Sequence, residues 1–174
     1  MLSAIVLVPS QTVRVSARPA AEALVRTLSA LVPAAIEGVL RDVIIAAATG
    51  VAGLEQIADH AGCGLEDAAQ PRDALCKALA ATREANIFLI MAGRAPETGF
   101  AEELAELLGD GQNRARMRDR PGTLLTRIAP GLAPAAALLA PRDVLLKIAD
   151  DEMSRMSRRL GSAPSLRCRA RRVD

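Results

Sequence analysis

Aromatic side chains are almost missing from this chain: of its 174 residues none is Trp or Tyr, and the only phenylalanines are Phe88 and Phe100. The interior must therefore be built from Leu, Ile, Val and Ala, and alanine brings backbones together while burying little area per residue. Stacking platforms for a ring-shaped ligand are equally scarce, and Phe100 alone is placed to offer one. Histidine is short as well. With His60 the single histidine and three cysteines, Cys63, Cys76 and Cys168, at no close spacing, a Cys/His zinc cluster is excluded. An odd, scattered set of thiols predicts a reduced, cytoplasmic protein. No apolar run reaches the ~18 residues of a membrane span. The apolar start, residues 1–8, has no basic segment before it and reads as a strand rather than a signal peptide.

What is present is a half-apolar chain (51% hydrophobic) of net charge +2, which excludes a disordered polymer and fits one domain. The charge is unevenly placed. Residues 97–106 are acidic (Glu97, Glu102, Glu103, Glu106), whereas 114–120 (Arg114, Arg116, Arg118, Arg120) and the tail (Arg155, Arg158, Arg159, Arg167, Arg169, Arg171, Arg172) are basic. A nucleic-acid surface is one reading of that tail. The absence of interleaved aromatics and the low net charge favour instead a basic edge strand that discourages sheet-to-sheet pairing.

Hydrophobic periodicity divides the chain. Ala4-Ile5-Val6-Leu7-Val8, stopped by Pro9, suits a strand covered on both faces. Pro19 opens a helical pattern with Leu24, Leu28, Leu31 and Val32 on one face, ended by Pro33. Val43-Ile44-Ile45-Ala46 reads as a second buried strand. Leu54, Ile57, Ala58 and Ala61 make a helical face closed by Gly62. Residues 63–71 read as a loop, Leu75, Leu79 and Thr82 as a helix, 87–91 as a third strand, and Phe100, Leu104, Leu107 and Leu108 as a helix ending at Gly109. This β-α-β-α-α-β-α order predicts an α/β domain with a mostly parallel central sheet and helices on both faces. Beyond it, 109–122 reads as a loop. Pro121 opens a helix carrying Leu124, Leu125 and Ile128, and 135–140 is a strand. Helices follow at 144–148 and 152–160, and 165–173 closes the sheet as an edge strand.

Ligands of open parallel sheets sit beyond the carboxyl ends of the strands. Three such ends are readable: Pro9-Ser10-Gln11, Ala47-Ala48-Thr49-Gly50 and Ala92-Gly93-Arg94. The segments that carry them resemble family 2 glycosyltransferases of the GT-A fold. Residues 3–10 look like that family's opening strand, and "LVRTLSALVP" (24–33) like its first helix. "RDVIIAAATGVAG" (41–53) resembles the strand and turn usually written E-V-I-V-V-D-D-G-S-T-D-G. "IFLIMAGRAPETGF" (87–100) resembles the strand bearing the D-x-D motif, and "ADDEMSRMSRRLG" (149–161) the E-D-x-D-L-x-x-R-L segment that supplies a catalytic base.

The resemblance implies a single GT-A-like domain over 1–174, with a nucleotide-binding half (1–108) and an acceptor half (109–174). It implies transfer of a sugar from a nucleotide-sugar donor. Its most diagnostic acids are absent. Ala47 and Ala48 stand where the family's base-binding Asp lies, and Ala92 and Arg94 stand where the metal-binding D-x-D pair lies. Alanine offers no oxygen to a hard cation, and arginine repels one. The expectation is therefore that the Mn or Mg of the family is not bound, and that the protein is either a metal-independent transferase or catalytically inactive. A non-catalytic binding or partner-interaction module on the same fold, or a homodimer, is the alternative. In the base segment Asp150 matches the family's catalytic aspartate, with Glu152 two residues on; the competing reading is the acidic first turn of a helix. Pro9, Ser10, Gln11, Ala47, Ala48 and Arg94 are the candidate nucleotide-binding residues. Arg94 stands as either a metal-replacing phosphate ligand or a solvated loop arginine. His60 reads as a helix-surface histidine and Cys76 as a small core residue.

Overall fold

In the computed structural model, which describes residues 1–9 and 17–173, the chain opens with strand β1 (Leu2–Leu7), buried along its whole length. Helix α1 (Ala17–Ile36) follows, then β2 (Leu40–Ala48), α2 (Leu54–Ala61), β3 (Gly64–Ala68), α3 (Pro71–Ala81) and β4 (Asn86–Met91). A short strand β5 (Arg94–Pro96) leads into α4 (Phe100–Gly109). Next come β6 (Ala115–Arg118), α5 (Leu124–Ile128), a 3-10 turn (Pro130–Leu132), β7 (Ala135–Pro141), α6 (Arg142–Ile148), α7 (Met153–Arg159) and β8 (Ala170–Arg172).

Six strands form one sheet in the order β3-β2-β1-β4-β7-β6. The pairs β1·β2, β1·β4 and β2·β3 are parallel, and β7 is antiparallel to both of its neighbours. All strands of this sheet but β7 therefore point the same way. This is the mostly parallel α/β sheet that the alternation of elements predicts.

Side chains alternate between two cores, as a pleat of period two requires. Leu2, Ala4 and Val6 of β1 face Leu24, Leu28 and Leu31 of α1, while Ile5 and Leu7 face Leu75 and Leu79 of α3 on the other side. Leu145, Met153 and Met156 of α6 and α7 complete the second core. The two phenylalanines meet in the first core at a centroid distance of 5.9 Å. Among the described residues, no helix is long and apolar enough to cross a membrane.

Four elements depart from the sequence expectation. α1 continues through Pro33 to Ile36, because burying Leu31 and Ala34 outweighs the one hydrogen bond a proline forfeits. Residues 64–68 are not loop but the edge strand β3. Its polar sequence is tolerated there because its outer side is open, and Gly64 lets it lie close against Ile44. Residues 115–118 are likewise an edge strand, β6, with Ala115 and Met117 buried and Arg116 and Arg118 half-buried. Finally, 165–173 does not close the main sheet as a strand. Only Ala170–Arg172 is a strand, and it pairs antiparallel with β5 in a separate two-stranded sheet. Upstream, the carboxylate of Glu103 accepts the N–H groups of Arg167 (2.6 Å) and Cys168 (2.9 Å), and Glu97 accepts that of Arg169 (3.3 Å). Those bonds divert the segment from regular pairing with β6.

Candidate active site at the carboxyl ends of the strands

From β1 the chain builds the sheet outward on one side through β2 and β3, and on the other through β4. That direction reverses between β1 and β4, and ligands of open α/β sheets sit beyond the carboxyl ends of the strands at such a point. Pro9 follows β1 and is half-buried; Ser10 and Gln11 lie outside the described residues. Ala47 is a core side chain with no exposed surface, so it presents no side-chain atom to a ligand. Ala48 is half-buried and helps line a cavity of about 730 Å³ beyond β2 and β3, beside Thr49, Gly50 and Asp67.

The end of β4 is the most closely determined part of the site. Gly93 takes φ 82°, a left-handed conformation that glycine adopts without a steric penalty, and so turns the chain directly into β5. Its N–H donates to the Thr27 hydroxyl (3.0 Å, buried), and its carbonyl accepts the N–H of Val173 (3.1 Å) and a hydrogen bond from Arg94 Nη1 (3.2 Å). Arg94 Nε then lies 2.7 Å from Asp119 Oδ1, with the two side chains 18% and 8% exposed. Arg94 is thus neither solvated nor loose. Asp119 follows β6, which points the same way as β4, so the two residues reach the same end of the sheet. The N–H of Asp119 donates to the Pro134 carbonyl (2.9 Å). Sequence reasoning missed Asp119, although it is the lone acid in an arginine-rich stretch.

The second candidate cluster sits at the start of α7. Asp150 Oδ2 is 3.1 Å from Arg159 Nη1, its Oδ1 is 3.5 Å from Arg155 Nη1, and Oδ1 also accepts the N–H of Glu152 (3.2 Å). Glu152 in turn lies 3.2 Å from Arg155 Nε. The hydrogen bond shared with Asp151 holds the Asp150 carboxyl below the ordinary carboxylate range; burial opposes this, while the Glu152 N–H, Arg155 and Arg159 add to it. Asp151 moves up through that same hydrogen bond, with burial helping. A depressed carboxylate is a weak proton acceptor. Asp150 and Arg94 share no hydrogen bond or ion pair among the described residues.

Other chemistry is sparse. Burial, followed by the neighbouring Glu103, pushes the Cys168 thiol up to about 11, and burial also raises Cys63. Neither is a thiolate nucleophile at neutral pH. His60 is exposed, with Nδ1 2.6 Å from the Gln56 carbonyl, and Cys76 packs half-buried against the second core. No group of three or more His, Cys, Asp or Glu among the described residues is placed to hold a metal ion.

This mostly parallel sheet flanked by helices matches a GT-A-like glycosyltransferase fold. No protein-family model matches the sequence, and no curated protein matches it. Among solved structures, the chain is similar to glucosyl-3-phosphoglycerate synthase from Mycobacterium tuberculosis in complex with Mn2+, UDP and glucosyl-3-phosphoglycerate. That match has 18% identity and a TM-score of 0.65, over 99% of this chain and 72% of the other. The same enzyme with Mg2+ and UDP gives 17% identity and 0.61 over the same shares. A further structure of it gives 18% and 0.59, over 94% of this chain and 70% of the other. At such identities the likeness establishes the fold, and the chemistry must be argued from the residues present.

Proposed function

We propose that this chain is a family 2-type nucleotide-sugar-binding domain that meets the donor diphosphate without a divalent metal, through Arg94. The observation that carries this reading is the position of Arg94 just beyond β4, at the point where the strand order reverses, ion-paired with Asp119 at 2.7 Å. Of the five N–H groups of its fork, one donates to the Gly93 carbonyl while Nε is ion-paired with Asp119, and among the described residues others remain for a phosphate oxygen. A pre-oriented guanidinium loses little freedom on pairing with phosphate. The donor set itself argues against a cation here: Ala92 supplies no oxygen and Arg94 carries like charge, so no step is routed through a metal. In this reading 1–108 is the nucleotide half and 109–174 the acceptor half, the latter contributing Asp119. Asp150 is the carboxylate left for a base role, weakened as a proton acceptor by the contacts that lower its pKa. The three free cysteines fit a reducing cytoplasm.

A second reading, an inert binding module, is favoured by one feature. Both candidate groups already carry internal partners, Arg94 in Asp119 and Asp150 in Arg155 and Arg159. A thermal-shift panel of UDP-, GDP- and dTDP-sugars, with and without manganese, separates the two. The expected result is a shift that needs no manganese and disappears in Arg94→Ala. Equal shifts in both proteins, or a shift only with manganese, would refute the role of Arg94. No shift with any nucleotide would select the inert module. For a nucleotide that binds, release of nucleoside diphosphate in wild type and its loss in Asp150→Asn would mark a transferase.

A further inference from the structure

Nine large apolar side chains are exposed on the described surface, and seven of them fall in two patches. One patch comprises Leu124, Leu125 and Ile128 on α5 with Leu132 in the following turn, 61–77% exposed. α5 buries none of its residues, yet it is a built element: the Thr123 and Thr126 side chains close a capping box at its start. It packs chiefly on that 3-10 turn, so its apolar side stands out from the molecule. The other patch is Val25, Val32 and Ile36 on the outer face of α1. There the surface is concave. α1 and α2 flank a groove of about 650 Å³, with Leu28, Val43 and Ile57 among its lining and Val25 and Val32 along it.

The charges around the two patches are opposite. Near the groove the exposed charges are acidic on balance: Glu55 and Asp59 on α2, which has no Lys or Arg, Glu22 on α1 and Glu37 after it, against Arg26 on α1. Around α5 lie exposed Arg127 and, beside Thr123 and Thr126, Arg171 and Arg172. From residue 111 to 142 the chain has six arginines and a single acid, Asp119, which is buried against Arg94.

An apolar patch with arginines nearby and an apolar groove whose neighbouring charges are acidic on balance, on one chain, complement each other. We propose that α5 of one copy docks in the α1–α2 groove of a second copy, and that the contact is made twice about a two-fold axis. Self-complementarity of this kind, in which each patch meets the other on the partner, is the form a two-fold interface takes. The area argues for the doubling. A specific interface buries about 1,200–2,000 Å² in total, a size that a five-residue helix in a groove fits better when the contact is made twice than once. Opposite charge at the rims orients the encounter and disfavours groove-to-groove pairing.

Sedimentation velocity on the full chain across the micromolar range tests this. The wild type is expected to form a dimer. Ile128→Glu and Val32→Glu should each raise the dimer dissociation constant at least about tenfold, while Leu146→Glu, at an exposed leucine outside both patches, leaves it unchanged. All three positions are exposed, so circular dichroism should match wild type; Leu125→Glu and Val25→Glu serve as second variants of each patch. A wild type that stays monomeric throughout overturns the proposal. So does a dimer that survives Val32→Glu and Val25→Glu but breaks in Ile128→Glu, which would mean that α5 pairs with itself. A dimer that survives the α5 variants overturns it equally.

Discussion

Breaking the Arg94–Asp119 pair offers the sharpest test of how the site is built. The two groups are 18% and 8% exposed and 2.7 Å apart, so both are largely desolvated, and removing Asp119 takes this counter-charge from Arg94. Losing one member of a buried pair costs about 3–5 kcal/mol; the partial exposure of Arg94 places Asp119→Ala near the lower end, at about 3 kcal/mol. For a domain of this size each kcal/mol moves the melting temperature by about 2–4 °C, so Asp119→Ala should melt about 6–12 °C lower. Replacing both partners by apolar residues, as in Arg94→Met with Asp119→Leu, removes the stranded charge and should return stability to within about 1 kcal/mol of wild type. Urea denaturation of the wild type, the two single variants and the double variant measures the coupling directly. If Asp119→Ala lies within about 0.5 kcal/mol of wild type, the pair behaves as a solvated surface bridge, and Arg94 is not pre-oriented. The double variant also separates structure from function, since it should fold and yet show no nucleotide-induced shift.

Two further outcomes follow from neighbouring contacts. Thr27→Val keeps the shape of that side chain but removes the acceptor of the buried Gly93 N–H; an unsatisfied buried donor costs about 1–3 kcal/mol, so the urea midpoint should fall with unchanged slope, and an unchanged midpoint would mean that water or another acceptor replaces the hydroxyl. The pKa of Asp150 is lower in the folded chain than in the unfolded one, so its contribution to stability is present above the unfolded value of about 3.9 and is lost as pH falls through the folded value. Arg159→Ala removes one of its cations and should raise the Asp150 midpoint in a carboxyl-carbon NMR titration; a midpoint that does not move would show that the arginine is swung away in solution.

How much of this could be read from residues alone depended on burial. β1 and β4 are legible because both of their faces are covered, so Ile5 and Val6, or Phe88 and Leu89, must all be apolar. α2 is legible because Gly62 closes it in the left-handed conformation. The edge strands are not. β3 reads Gly-Leu-Glu-Asp-Ala with no fully buried residue, and it is held by pairing with β2 rather than by its own pattern. β6 does alternate Ala-Arg-Met-Arg, but four residues are too few to separate a period of two from chance. The site divides in the same way. The strand ends at Pro9, Ala48 and Arg94 follow from the apolar runs before them, whereas the pairing of Arg94 with Asp119 depends on β6 running in the direction of β4, which no local signal encodes.

The segregated charges of the sequence also acquire a meaning that net charge could not supply. The acidic stretch from Glu97 to Glu106 and the basic tail meet, but mainly through backbone rather than through paired side chains: Glu103 takes the N–H groups of Arg167 and Cys168, and Glu97 that of Arg169. Glu97 also contacts the guanidinium of Arg120. The carboxylates therefore hold the tail as a strap, and the strap continues through β8 to the Val173 N–H on the Gly93 carbonyl, one residue from Arg94. Arg167, Arg171 and Arg172 remain exposed because the bonds that fix this segment do not use their side chains. The tail's basicity is thus separable from its structural task. Substituting those three arginines should leave the setting of Arg94 intact, whereas loss of the Glu103 carboxylate should loosen it from a distance.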